Sequence, residues 1–567
     1  MSVIVAIARG HNSSTTLLVD GEVKFYVEEE RLSKFKYDGA PVLGLMEVFK
    51  HVDHIDHLVV CHTHRNGPIM DWTGEDFYVG IVRKLARKKF KFQVHLFDEI
   101  HHQLHAACAF YNSGFKSAAC VVVDGAGSFL EIENIPDVCY EFESIFKAGY
   151  PNTFETVYKH IGTKATIGYY HDKEKNFHFT EYPGITKTYE AVTEYCGFAA
   201  IEAGKLMGLA PYGKPNDKLP PLFRDGWSNR DVILPTYPSA AKIIDQRIPA
   251  LLEDAQYQKE GEYTELQKDL AYAVQEQSQK QVIELIRKAH ELTGEKNIVV
   301  SGGYGLNCVA NYHYLKEFPD LNIYCEPISH DGGTSIGAAK LIYHAITKKE
   351  EPSKQESVYY GPQYDTETYT KILDDEGLEY IDASYEDVAK LIAEENIVTI
   401  FQGRSEGGPR ALGNRSILFD PRVKDGKDKV NEVKHREWFR PFAGSILEEN
   451  VHEWFDLAGR ETTPHMMYAV NCQPGVEEKV PSIIHVDGTC RIQTVNKEQN
   501  LHYYNLISAF NLLTGTPILF NTSFNLGGDP LVETLEDAIE TLRRSEMEYL
   551  YLPEINKLVK VENASNE

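Results

Sequence analysis

SAACVVVDGAGS, Ser117 to Ser128, is an apolar β-branched run that ends abruptly in Asp124, Gly125, Ala126, Gly127 and Ser128. Such a run fits a strand buried on both faces, and glycines directly after it let backbone amides approach an anion closely. Two segments repeat the arrangement. SVIVAIA (2–8) empties into RGHNSS (9–14), and NIVVS (297–301) empties into Gly302, Gly303, Tyr304 and Gly305 ahead of a helical stretch. Between them, TTLLVDGEVKFYVEEE alternates on both sides of Asp20-Gly21, a hairpin signal. Glycine clusters also close ordinary turns. Three of them at strand and hairpin ends in one half of the chain point instead to nucleotide binding.

The 567 residues, 42% hydrophobic and 25% charged, supply apolar material for two or three domains. The clearest break is ITKKEEPSKQESVYYGP (346–362), polar and proline-bearing, which sets domains at 1–350 and 363–567 around a linker at 351–362. A net charge of −26, from 84 acidic and 58 basic side chains, disfavours wrapping by nucleic acid but leaves small anions open to a local arginine cluster. No membrane-spanning apolar stretch and no signal-peptide pattern occur, so a cytoplasmic protein without a membrane partner is expected. The nine cysteines form no CxxC pair, which suggests reduced, buried thiols.

His101 and His105, four apart in IHHQLHAACAF, stack two imidazoles on one helix face, with His102 pointing elsewhere. Two histidines do not complete a metal site. Asp124 in VVVDGAG and Asp331 in SHDGGTSIGAA are the best-placed carboxylates, and a mixed nitrogen and oxygen set suits iron, zinc or manganese. A helix surface or a capping feature is the other reading of the histidine pair.

The second half carries a basic glycine loop. ENIVTIFQGRSEGGPRALGNRSILFDPR (395–422) holds Arg404, Arg410, Arg415 and Arg422, and NEVKHREWFRPFAGSI (431–446) holds Lys434, Arg436 and Arg440. VDGTCRIQTV adds Arg491, and PILFNTSFNLGGDP adds Asn521, Ser523 and Asn525. Each alone reads as a solvated surface charge or a polar turn. As a set in an acidic chain they read as an anion site built from guanidinium forks, a lysine and loop hydroxyls.

Together, IARGHNSSTTLLVDGEV, VEEERLSKFK, HHQLHAA, VVVDGAG, EAGKLMGLAPYG, SGGYGLNCVAN and HDGGTSIGAA resemble the NodU/CmcH carbamoyltransferase family over nearly the whole chain. The resemblance implies a mixed α/β protein: an actin-like (ASKHA) first domain similar to the tRNA threonylcarbamoyl transferase, then a YrdC-like α/β domain. It places the metal ligands on His101, His105, Asp124 and Asp331 and the base for the acceptor hydroxyl on His11. Nucleotide positions implied are Gly125, Gly127, Glu202, Gly204, Lys205, Gly302, Gly303 and Asn307, with Glu202 and Lys205 expected to be buried among small residues. Arg410 and Arg415 join the anion set, and Lys434, Arg440, Arg491, Asn521 and Ser523 match positions for carbamoyl phosphate, Lys434 and Arg491 with a catalytic part. Arg404 and Arg436 carry less weight.

The implied enzyme uses ATP, with Mg2+, and carbamoyl phosphate to make carbamoyl adenylate, then carbamoylates a hydroxyl beside a divalent metal, Fe2+ first and Zn2+ or Mn2+ as alternatives. A tRNA-type threonylcarbamoylation enzyme and an actin-like ATPase binding module are the competing readings. Family members modify antibiotics, nodulation oligosaccharides and other alcohols, and a hydroxymethylated nucleotide or base is chemically open. Residues 131–200 carry no assignable motif; their aromatics, as in FHFTEYPGITKTYEAVTEYCGF, suggest an acceptor pocket or plain core. A homodimer is compatible with the sequence.

Overall fold

The computed structural model describes residues 2–63, 77–86, 90–133, 135–163, 167–236, 240–254, 261–355 and 357–561, so Glu356 of the expected linker lies outside the described residues. Contacts divide the chain into two units, Met1–Lys24 with Gly39–Gln355, and Phe25–Asp38 with Glu356–Glu567. The end of one N-terminal strand and the short helix α1 (Glu29–Ser33) thus belong to the second unit.

In the first unit, β1 (Val3–Ala8), β2 (Ser14–Val19), β3 (Glu22–Glu28), β4 (His57–Cys61) and β5 (Gln93–Phe97) form a sheet in the order β3-β2-β1-β4-β5. β2 is antiparallel to β1, whereas β4 and β5 extend the sheet in parallel. Asp20 and Gly21 sit at φ 51° and 93°, the two positive values a two-residue hairpin turn needs, so the alternation around them is a true hairpin.

A second sheet repeats the scheme. It contains β6 (Ser117–Val123), β7 (Cys139–Gly149), β8 (Thr153–Thr163), β9 (Tyr169–Asp172), β10 (Phe177–Thr180), β11 (Asn297–Ser301) and β12 (Asn322–Cys325), in the order β9-β10-β8-β7-β6-β11-β12. Its central part, β8-β7-β6-β11-β12, has the same third-second-first-fourth-fifth order and the same change from antiparallel to parallel pairing. This doubled order is the mixed α/β, actin-like architecture. Helices α2 (His101–Ser113), α3 (Ile185–Tyr195), α4 (Ala203–Leu209), α5 (Cys308–Glu317) and α6 (Gly333–Thr347) accompany it. Leu104, Phe110, Ala338 and Ile342 of α2 and α6 share one core with Ile4, Leu18 and Val59 of the first sheet and Val122 and Val299 of the second. Because β6 and β11 run in parallel, with Val122 opposite Ser301, both release their glycine loops at the same sheet edge.

The second unit is built on a ten-stranded mixed sheet. Its strands are β13 (Glu379–Asp382), β14 (Val398–Phe401), β15 (Arg415–Phe419), β16 (Ala443–Leu447), β17 (Phe455–Asp456), β18 (Ala469–Cys472), β19 (Thr489–Val495), β20 (Ile518–Ser523), β21 (Tyr549–Leu552) and β22 (Lys557–Lys560). They lie in the order β13-β22-β21-β14-β15-β20-β16-β19-β18-β17. Register aligns Leu418, Asn521, Ala443, Arg491 and Ala469 in one row across five strands, so that Asn521 and Arg491 rise from the same face. All nine cysteines are free thiols, and all but Cys472 are buried. Among the described residues, no helix is long and apolar enough to cross a membrane.

Candidate functional site

One turn of α2 separates His101 from His105 and brings their Nε2 atoms to 3.1 Å. Asp124 follows β6 and Asp331 precedes α6. His101 Nε2 lies 3.6 Å from Asp124 Oδ2 and 3.5 Å from Asp331 Oδ1, and His105 Nε2 lies 3.9 and 3.5 Å from the same oxygens. All four donor atoms fall within 4.8 Å of one another. An ion with bonds of about 2.1 Å separates adjacent ligands by roughly 3.0 Å in an octahedron and 3.4 Å in a tetrahedron, so this buried cluster could hold a metal. Burial would discharge His101, but Asp331 and Asp124 outweigh it and push the imidazole up to about 10. Against their own burial, the histidines hold both carboxylates below the usual range.

The surrounding loops are tied to this cluster. Asp124 Oδ1 accepts the Gly303 amide at 2.9 Å, and Gly302, at φ +88°, has Val123 O only 2.4 Å from where a Cβ would stand. Ser14 Oγ donates to Gly332 O at 2.7 Å and lies 2.8 Å from Ser335 Oγ, which latches the RGHNSS turn to the HDGGTS segment. His11, 55% exposed, brings Nδ1 to 3.9 Å from Asp331 Oδ2. His102 turns away, its Nδ1 2.8 Å from Ser144 Oγ, and its ring lies against Gly127.

Gly125, Gly302 and Gly303 therefore gather at Asp124, whereas Gly127 packs against His102 and Glu141, and Gly125 lies under the Lys187–Glu190 pair of α3. That pair escaped the sequence reading; its only signal was an opposite-charge spacing of three in TKTYE. Asn307 caps α5, its Oδ1 accepting the Ala310 amide at 3.1 Å while its amide donates to Gln275 Oε1 at 3.0 Å. Glu202 and Lys205 are not buried as expected: they pair with each other at 2.8 Å with side chains 28% and 24% exposed. The 3-10 turn before α4 brings them to the start of the helix, where Glu202 also accepts the Ala199 amide at 3.0 Å, and Gly204 faces open space.

In the second unit, Lys434 closes α7 (Gly426–Val433) and is 1% exposed. Its ammonium donates to the Ser523 carbonyl and to Asn525 Oδ1 at 3.1 Å. Burial, followed by Arg436 and Arg440, pushes Lys434 well below its ordinary value, and burial, followed by Arg440 and Arg491, brings Arg436 down to about 9. Arg436 reaches Thr522 Oγ1 at 3.4 Å, beside the Ser523 that Lys434 holds, and Ala443, three residues after Arg440, stands opposite Arg491, so the four cations gather at one end of β20, β16 and β19. Glu437, 3.6 Å from Arg440, offsets part of that charge, and an anion would relieve the rest. Arg491 Nε is buried without a hydrogen-bond partner among the described residues. Asn521 Nδ2 donates to Ser445 Oγ at 2.9 Å and to Ala411 O at 3.3 Å, fastening the basic glycine loop to this face. Arg436, given little weight from sequence, sits inside the cluster.

Arg415 is placed otherwise. Fully buried, it donates to the carbonyls of Gln402 at 2.5 Å, Asn414 at 3.0 Å, Gly403 at 3.2 Å and Glu533 at 3.2 Å, and it stacks 3.7 Å from the Phe401 ring centre. Its donors close the base of the loop instead of facing an anion. Arg404 is likewise engaged by the Gly361 and Tyr360 carbonyls, at 2.6 Å each, and half-buried Arg410 rides on the loop between these two. In the first unit, a cavity of about 260 Å3 is lined by Glu143, Tyr158, His160, Trp227, Glu284 and Lys288 among others. The aromatic segment contributes Pro183 and Ile185 to its wall, while Tyr182 stacks on Trp227 from outside the lining.

Comparison with known proteins places these sites in context. Residues 69–340 match the family described as carbamoyltransferase N-terminus, and residues 389–558 match carbamoyltransferase C-terminus. An uncharacterized protein of Synechocystis sp. is 31% identical over 96% of this chain and 94% of its own length. Nodulation protein NolNO of Sinorhizobium fredii is 30% identical over 98% of this chain and 80% of its own. Among solved structures, full-length HypF in its phosphate- and nucleotide-bound form aligns with 62% of this chain and 56% of its own at 11% identity and a TM-score of 0.37.

Proposed function

The chain belongs to the carbamoyltransferase family and is a transferase enzyme, and on that premise we propose that it makes carbamoyl adenylate in the second unit and carbamoylates an acceptor hydroxyl in the first. The observation that carries the reading is the gathering of Lys434, Arg436, Arg440 and Arg491 in a chain of net charge −26. The cluster suits carbamoyl phosphate, a dianion at neutral pH, together with the phosphates of ATP and its Mg2+.

In the first step, water cleaves carbamoyl phosphate to carbamate and phosphate, and Lys434 and Arg491 take up the charge on the departing phosphate. A carbamate oxygen then attacks the α-phosphorus of ATP; the bond to the β-phosphate oxygen breaks and pyrophosphate leaves. In the second step, the acceptor oxygen attacks the carbamoyl carbon, the bond to AMP breaks, and His11 takes the hydroxyl proton. An exposed imidazole 3.9 Å from Asp331 suits that task, because the carboxylate can orient the ring. The Gly125, Gly302 and Gly303 backbone admits the adenylate close to Asp124. A divalent metal, Fe2+ first with Zn2+ or Mn2+ as alternatives, would be held by His101, His105, Asp124 and Asp331 and would supply Lewis-acid polarisation of a carbonyl. The acceptor is a hydroxyl-bearing antibiotic, sugar, or hydroxymethylated nucleotide or nucleic-acid base.

Quantifying AMP, ADP and pyrophosphate from purified protein and ATP, with and without carbamoyl phosphate, tests the reading. AMP and pyrophosphate should form only when carbamoyl phosphate is present. ADP alone, or AMP formation indifferent to carbamoyl phosphate, would overturn it.

A further inference from the structure

VEEERLSKFK, an N-terminal segment that the proposed chemistry leaves without a role, folds as part of the second unit. Its Arg31 is 3% exposed. Nη1 donates to the Glu406 carbonyl at 2.8 Å and Nη2 to the Gly408 carbonyl at 2.7 Å. Glu28, 5% exposed, completes the grip from the other side of the same peptide run: Oε1 accepts the Gly408 amide at 2.9 Å while Oε2 lies 3.6 Å from Arg31 Nη2. Residues 406–408 thus have two backbone carbonyls and one amide taken by a buried ion pair from a segment about 375 positions earlier.

What is gripped leads to the anion site. Glu406 turns its side chain back into its own loop, where Oε1 accepts the amides of Leu412 at 2.7 Å, Asn414 at 2.8 Å and Arg415 at 3.3 Å. The loop carbonyls then meet the sheet face that carries Arg491: Ala411 O accepts from Asn521 Nδ2, and Leu412 O accepts from Gln493 Nε2 at 2.9 Å. A continuous set of hydrogen bonds therefore runs from Arg31 and Glu28, through Glu406, to the residues beside Arg491. Arg410 lies within the span that these hydrogen bonds pin at both ends.

We propose that Arg31 and Glu28 are positioning residues for the anion site, fixing the 405–414 loop so that Arg410 and the Asn521–Arg491 row face carbamoyl phosphate and ATP in one arrangement. Neither touches the substrate. Their effect is preorganisation: a loop left free to move must be ordered when the anion binds, which weakens binding even though every group that touches the anion is still present. The inference rests on the second unit making carbamoyl adenylate.

The experiment uses the full chain, with the wild type establishing AMP formation that depends on carbamoyl phosphate; if the wild type lacks it, the functional reading fails before any variant is compared. Arg31→Met should raise the KM for carbamoyl phosphate at least tenfold while kcat changes by less than threefold. It should also speed amide hydrogen exchange in peptides covering 405–414, leaving exchange across the first unit's β6 and β11 unchanged. Arg31→Lys, which keeps one donor, should recover part of both effects. A role confined to stability would lower the thermal midpoint and leave KM and local exchange at wild-type values, and that outcome overturns the proposal. If Arg31→Met does not fold, Glu28→Gln decides the question: it removes the ion pair and keeps an acceptor for Gly408. Faster local exchange with a raised KM supports the proposal, and wild-type behaviour in both overturns it.

Discussion

The two candidate centres are electrostatic opposites. In the first unit, two carboxylates and two imidazoles converge within 4.8 Å, and the carboxylates hold the His101 imidazole up at about 10. In the second, Lys434, Arg436, Arg440 and Arg491 crowd together with little acid to answer them. One arrangement offers donors suited to a cation, the other to an anion. A chain that builds both keeps them chemically separable, and substitutions should divide the overall reaction at that line.

The largest effect is expected from Asp124→Asn. Losing one of the proposed metal ligands should lower metal uptake and cut carbamoyl transfer by about a thousandfold, the equivalent of ~4 kcal/mol of charge stabilisation. AMP and pyrophosphate formation should persist. Elemental analysis together with product analysis measures both, and equal loss of the two activities would erase the division. Lys434→Met sharpens it from the other side. Removing one buried donor from the proposed phosphate site should slow AMP formation by about a hundredfold, with metal content unchanged.

The two centres also differ in how they could be read. His101 and His105 announce themselves by a spacing of four in one helix, and Asp124 and Asp331 by glycine neighbours at element ends, so short-range pattern reached all four. Lys434, Arg436 and Arg440 of the basic cluster share one short stretch, but Arg491 and Asn521 join them only by register, because β20, β16 and β19 align Asn521, Ala443 and Arg491 in one row. No local pattern carries that. It is also why Arg415, on β15 of the same sheet, read as equivalent to its neighbours although its guanidinium closes a loop. Arg31 was illegible for a related reason, since its partners at 406–408 lie in the far half of the sequence. The hairpin at Asp20-Gly21 and the strand-to-glycine transitions were legible because backbone chemistry within two to five residues decides them.

Arg415→Met tests that distinction. Because the guanidinium serves four carbonyls and an aromatic face, its loss should cost about 3 kcal/mol of stability, as removal of a buried charged partner does. The KM for carbamoyl phosphate should stay within a few-fold of wild type. A thermal midpoint at the wild-type value together with a tenfold rise in KM would return Arg415 to the anion set.

The basic cluster also predicts a pH signature. Lys434 is held well below its ordinary value by burial and by Arg436 and Arg440, so between that depressed value and about 10.4 the folded chain carries fewer protons than the unfolded one. Stability should then rise with pH across this window. Phosphate binding should reverse the imbalance by favouring the charged ammonium, taking up protons as it binds, and affinity should weaken as pH rises. Calorimetry of inorganic phosphate binding in buffers of different ionisation enthalpy measures the uptake. Binding without proton uptake, or a Lys434→Met variant with the same uptake, would show that another group is responsible.

The smallest effect is expected at Glu202. In the first unit it is one of the implied ribose contacts, yet it stands 28% exposed and already pairs with Lys205 at 2.8 Å. A partly exposed pair of this kind is worth about 0.5 kcal/mol, so nucleotide hydroxyls can take the carboxylate from Lys205 at little cost. Glu202→Gln keeps one acceptor and puts a donor in place of the other carboxylate oxygen. Nucleotide affinity, read by titration with a fluorescent ATP analogue, should fall only two- to fivefold, since a net hydrogen bond to a charged group contributes about 1 kcal/mol more than a neutral one. An unchanged affinity would mean that the Glu202–Lys205 pair only fastens the start of α4, and that nucleotide recognition in the first unit rests on the glycine edge around Asp124.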